Sequence, residues 1–91
     1  MTIAKDATAV PQTSLLTLAY NQPAVVWGVQ AISLHDPIAR RLRELGFVPG
    51  EPVRIVAKGP VGADPLLIQI GFTRFALRRA EAARVLVEAA P

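Results

Sequence analysis

One stretch, Asp36 to Pro52, limits the fold of this chain more than any other, because it writes a short helix together with both of its ends. Asp36 suits the cap that accepts the free N–H groups of a first turn, and Pro37 suits the first helical position, where a missing donor is harmless. Gly46 supplies a left-handed closing residue, and Phe47 beyond it is placed to pack back on Leu42, the contact of a Schellman end. Ile38, Leu42 and Leu45 recur at i, i+4 and i+7, which predicts an inward apolar stripe with Arg40, Arg41, Arg43 and Glu44 toward water. A helix of roughly three turns is marginal alone and has to dock on other structure. Val48-Pro49-Gly50-Glu51 follows, with Pro and Gly at the two central positions that a type II turn demands.

The flanking chain offers strands and no second long helix. Residues 1–12 lack periodicity and read as a flexible tail, leaving 13–89 as the folded domain. Leu15, Leu16 and Leu18 form a short apolar anchor before an Asn21-Gln22-Pro23 turn. Ala24 to Ile32 is rich in β-branched residues, and Gly28 within it marks a bulge or a close approach. The ordinary burial of aromatic rings favours core or barrel-end packing for Trp27 over an exposed contact with a partner. Val53, Ile55 and Ala57 alternate with Arg54, Val56 and Lys58, the pattern of a strand wet on one face. Gly59 to Pro65 reads as a mobile loop from its Gly and Pro content. Leu66 to Ile70 and Thr73 to Arg79 read as strands joined at Gly71-Phe72, Arg79 to Ala83 as a single helical turn, and Val85 to Glu88 as a last strand with Val85 and Val87 inward.

About five short strands with one helix after the first, and nothing else to cover a flat sheet, predict a mainly β fold whose sheet curls to remove its edges. The expected architecture is an SH3-like small β-barrel with a helical insertion. A chain of 91 residues holds one domain, and a 52% hydrophobic fraction with only 5% aromatic residues calls for an aliphatic core. The absence of cysteine excludes disulfide scaffolds, thiolate zinc sites and cysteine catalysis, and is compatible with a reducing compartment. No apolar run spans a bilayer and no continuous apolar segment marks an export signal, so the expected location is the cytoplasm. The net charge of +3 is a modest basic excess.

The strings R-R-L-R-E-L-G-F-V-P-G-E-P-V and D-P-L-L-I-Q-I-G-F-T-R-F-A-L-R-R-A-E-A, followed by V-L-V, resemble the ferrous iron transport protein A family, FeoA. The resemblance runs from about Leu16 to Val87, and its most specific parts are Leu42 to Gly50 and Phe75 to Ala82. Family members usually carry a glycine in the first turn, where this chain has Asn21-Gln22. The resemblance implies a small cytosolic SH3-like protein, non-enzymatic, acting as accessory or regulator of bacterial ferrous iron uptake. Its implied partner is the membrane transporter with a cytosolic GTP-binding domain.

The residues themselves show no catalytic constellation. No motif around Ser14 or Ser33 supports a triad, and Gly59-Pro60-Val61-Gly62 lacks the Gly-Lys-Ser/Thr ending of a phosphate loop. His35 and Asp36 are adjacent donors of the kind Fe(II) and Zn(II) accept, two where a structural zinc site takes four. A surface histidine beside a helix cap is the favoured reading; any weak metal contact at His35 is expected to be intermolecular, and no cofactor is required. For partner binding the candidates are Arg40, Arg41, Arg43, Arg78 and Arg79 as a basic surface, with Leu67 on an outward strand position beside Val56 and Leu86. Outward aliphatics on a barrel serve as a partner patch, a self-association seam, or a surface covered by the helix and N-terminal segment. A nucleic-acid-binding barrel is the alternative, since P-G-E-P-V-R-I-V-A-K-G-P resembles a KOW segment, but few aromatics are free to stack on bases. A metal-dependent repressor needs a helix-turn-helix that 35 residues before the helix cannot hold, and a proline-peptide SH3 domain needs an aromatic groove.

Overall fold

A computed structural model describes residues 13–90. The order is a 3₁₀ turn (Leu15–Thr17), β1 (Ala24–Val29), α1 (Pro37–Leu45), β2 (Pro52–Val61), β3 (Asp64–Ile70), β4 (Thr73–Leu77), α2 (Arg79–Ala82) and β5 (Val85–Ala89). The strands form one antiparallel sheet in the order β4-β3-β2-β1-β5, bent into a small SH3-like barrel. No ladder joins β4 to β5 among the described residues, so the sheet is open there, and Leu77, Ala82 and Val85 on either side of the gap are buried in the common core. Expectations for residues 1–12 lie outside the described residues. Among those described, no helix is long and apolar enough to cross a membrane.

The bend has local causes. In β1, the pairing with β5 shifts register between Val26 and Gly28, a bulge that lets Trp27 turn outward while Val26 stays buried. Trp27 is therefore 37% exposed, and the expectation of a packed ring is corrected: the bulge, not the hydrophobicity of indole, sets its direction. The first strand stops at Val29, short of the predicted Ile32. In β2 the register shifts again between Ile55 and Ala57, which turns the far half of the strand out of phase with the near half.

The core is aliphatic around one ring. Leu15, Val26, Leu42, Ile55, Leu66, Ile68, Leu77, Val85 and Val87 are fully buried with Phe47. The Phe47 ring meets the half-buried Phe75 at 6.5 Å between centroids, tilted by 51°. The last turn of α1 delivers that ring: Gly46 sits at φ 113°, its N–H reaches back to Leu42 and Arg43, and the Phe47 N–H donates to the Leu42 carbonyl at 3.1 Å. The stripe of α1 is rotated from the predicted one. Ala39 and Leu42 are buried and Leu45 packs at the margin, whereas Ile38 lies at the rim of the contact.

Two turns read from composition behave differently. Gly50 takes φ 92° and the Glu51 N–H donates to the Val48 carbonyl, the predicted type II geometry. The predicted loop Gly59 to Pro65 is instead the end of a long β2–β3 hairpin that turns on Gly62 and Ala63 alone, both at positive φ. Pro60 and Pro65 fit because each lies where its strand has one strand neighbour, leaving the missing donor at an unpaired edge. Leu86, predicted outward, is covered: Ser14 bridges to it, and the Val87 N–H donates to the Thr13 carbonyl at 2.9 Å.

Candidate functional site

The connection from β1 to α1 turns on one carboxylate. Asp36 caps the helix through Oδ1, which accepts from the Ile38 and Ala39 N–H groups at 3.0 and 3.2 Å. Its Oδ2 accepts from the Ile32 N–H at 3.0 Å and from Arg84, which comes from the turn before β5. The Ile32 N–H is the main cause that holds the Asp36 carboxyl below its ordinary range; desolvation opposes it, and the Ala39 and Ile38 N–H groups and the Arg84 charge add to it. Both oxygens are thus committed. The loop between is pinned at Ile32 and Asp36, and Leu34 at its tip is almost completely exposed, with Ile32 also mostly in water.

Beside that loop lies an open hollow of ≈ 330 Å³ lined by Leu34, His35, Asp36, Pro37, Arg40 and Arg43. Its one acid, Asp36, has its charge answered from the protein side by Arg84 and backbone N–H groups, so the rim presents cations and an apolar side chain. Arg43 has no acidic partner among the described residues, and Arg40 has only the exposed helical pair with Glu44 at 3.3 Å. An exposed i, i+4 pair of this kind contributes little and is readily exchanged for an outside carboxylate.

The other predicted cations do not share this hollow. Arg41 turns the opposite way and pairs with Glu81 of α2, whose second oxygen accepts from the Arg78 N–H. Arg78 stands 4.0 Å from Asp64, and the Arg79 N–H donates to the same carboxylate. The guanidinium groups of Arg41 and Arg78 and the backbone of Arg79 therefore belong to a seam that ties α1, α2 and the β2–β3 hairpin together, with the Arg79 side chain exposed beside it. Leu67 is elsewhere again, half-buried in a cross-strand row with Ala57 and Ala76. His35 is exposed on the hollow, but Asp36 beside it has no oxygen free to join it on a metal. No group of three metal-donor side chains occurs among the described residues.

The model of the FeoA domain matches residues 13–89. This chain belongs to the FeoA family. It is 62% identical to the FeoA of Stenotrophomonas maltophilia, crystallised with zinc and described as a prokaryotic SH3 domain protein and a candidate activating factor for bacterial ferrous iron transport. That match covers 84% of this chain and 89% of that one with a TM-score of 0.76. Iron(II) transport protein A of Clostridium thermocellum is 32% identical over 86% of this chain and 46% of its own, with a TM-score of 0.74. The FeoA protein of Chlorobium tepidum is 28% identical over 87% and 71%, with a TM-score of 0.75. No curated protein matches the sequence.

Within this FeoA domain the sequence reading located the helix and its caps and missed what faces them. Arg84 carries no motif and sits 48 residues from Asp36, so only the fold reveals the pair. The exposure of Leu34 had a signal: it lies between a β-rich run and a capping aspartate, where a connection has no core to enter.

Proposed function

We propose that this FeoA domain is a non-enzymatic accessory of a bacterial ferrous iron uptake system, acting in the cytoplasm by binding the GTP-binding part of the ferrous iron transporter. The observation that carries this reading is the hollow at the start of α1, where exposed Leu34 and the guanidinium groups of Arg40 and Arg43 stand together on a loop fixed by Asp36. Fixed loops lose little freedom on binding, and an apolar anchor among cations suits an acidic protein surface. The description of the Stenotrophomonas relative as a candidate activating factor supports the same role.

The test is a titration of the whole chain with the transporter's cytosolic part, with and without GTP and Fe(II). Leu34→Ser and the charge reversals Arg40→Glu and Arg43→Glu are expected to weaken binding about tenfold, or ~1.4 kcal/mol, without lowering the melting temperature. Unaltered affinity in all three would move the interface elsewhere.

Metal binding has a narrower place. The zinc in the Stenotrophomonas crystal favours a weak surface contact for Zn(II) or Fe(II), for which His35 is the donor left free in this loop. Such a contact needs its remaining ligands from another molecule. Zn(II) affinity should fall in His35→Ala and be unmoved by Asp36→Asn; an unchanged affinity in His35→Ala rejects the site.

A further inference from the structure

The outward face of β2, β3 and β4 carries a second basic surface, unrelated to the helix. Arg54 stands directly opposite Gln69, and Gln69 directly opposite Arg74, so the three side chains form one row across the strands on one face. The Arg74 Nε donates to the Gln69 Oε1 at 3.4 Å, and the Gln69 Nε2 donates to the Gly71 carbonyl at 3.4 Å. Neither Arg54 nor Arg74 has an acidic partner, whereas Arg40, Arg41, Arg78 and Arg84 all do among the described residues. The acids at this end of the sheet are Glu51, which approaches Gly71, and Glu88, which stands opposite Val25 on β5, two strands away from Arg54; neither makes an ion pair with either arginine.

A hollow of ≈ 190 Å³ opens beside the row, lined by Pro52, Arg54, Gln69 and Gly71 with Ala24 and Val53 at its floor. The next row on the same face is Ala57, Leu67 and Ala76, small and apolar, and Phe72 projects fully into water at the hairpin tip. Two free guanidinium groups flanking an amide, with an apolar row alongside and no carboxylate in either row, are the complement of an acidic amphipathic protein segment.

We propose that the row Arg54, Gln69 and Arg74 docks an acidic protein segment laid across the strands, with one carboxylate in the hollow against Arg54 and a second on Arg74. The two arginines are two strand spacings apart, about 10 Å. That distance matches carboxylates about seven residues apart on one face of a helix. The apolar side of such a segment covers Leu67 and Ala76.

The experiment titrates the isotope-labelled whole chain with a synthetic oligo-glutamate peptide at low salt, with a single-stranded oligonucleotide and phosphatidylglycerol vesicles as parallel arms. The expected result is amide shifts centred on Arg54, Gln69, Gly71 and Arg74. Arg54→Gln and Arg74→Gln should each weaken the peptide about 3- to 5-fold, the scale of one exposed ion pair, while Lys58→Gln, which also removes one cation, changes affinity less than twofold. Shifts centred on another surface, equal losses in all three variants, or tighter binding of the oligonucleotide or the vesicles through the same row would each overturn the proposal. The transporter is absent from this assay, so its outcome is separate from that of the hollow at α1.

Discussion

At the scale of single residues, Asp36 joins the helix cap, the preceding loop and the turn before β5 through four hydrogen bonds. A carboxylate whose folded pKa is depressed contributes stability that is fully present above its unfolded value and is lost as the pH falls through the folded one. The chain should therefore weaken in acid from about pH 5 downward, and Asp36→Asn should flatten that acid limb while lowering the urea midpoint at pH 7. An acid limb equally steep in the variant would assign the effect to other carboxylates. Gly46 makes a cleaner probe, because an added Cβ there meets no atom within 4 Å and the left-handed backbone is the main source of the penalty. Gly46→Val should cost about 1–2 kcal/mol in chemical denaturation, and an unchanged midpoint would mean that the helix end relaxes to another form.

At the scale of elements, the helix was legible and the hairpin was not. A helix of this length announces its ends by residue type, since a cap and a left-handed closing residue are chemical requirements met locally. The arm formed by the ends of β2 and β3 is a non-local object, and Gly59, Pro60, Gly62 and Pro65 carry the composition of a loop. What makes it a strand pair is the close approach of two backbones. A Cβ on Gly59 would stand 2.7 Å from the carbonyl oxygens of Asp64 and Pro65, so no other residue allows that approach. Gly59→Ala should push the arm open at about 1–3 kcal/mol, with faster amide exchange confined to residues 58–66; protection unchanged there would show that the arm yields without separating. The same limit explains the site residues. Helical spacing put Arg40, Arg41 and Arg43 in view, yet their division between a hollow and an internal seam depends on Glu81 arriving from α2. The stripe on α1 was misplaced by one residue because Ala39, fully buried, has too little side chain to signal burial, whereas Ile38 signals it and lies at the rim.

At the scale of the molecule, the helix, the 3₁₀ turn and all five strands bury side chains in a single cluster around Phe47, so the domain should unfold as one unit. Leu42→Ala removes a fully buried side chain from the inner face of α1 and should destabilise by ~2–5 kcal/mol. Trp27 fluorescence and far-ultraviolet dichroism should shift together in that variant, and separated transitions would show that α1 melts off a sheet able to stand without it. Such a division would also bear on the site, since the hollow is lined from α1 and the row of Arg54, Gln69 and Arg74 from the sheet.

The stitching of Thr13 and Ser14 onto Leu86 and Val87 brings early and late chain side by side, while the Gly62-Ala63 turn sits at the end of the outstretched arm. The order in which the strands are strung is therefore separable from their arrangement in space. A circular permutant linked from Ala89 to Thr13 and opened at Gly62 would present the same two basic surfaces while carrying its ends at the tip of the arm.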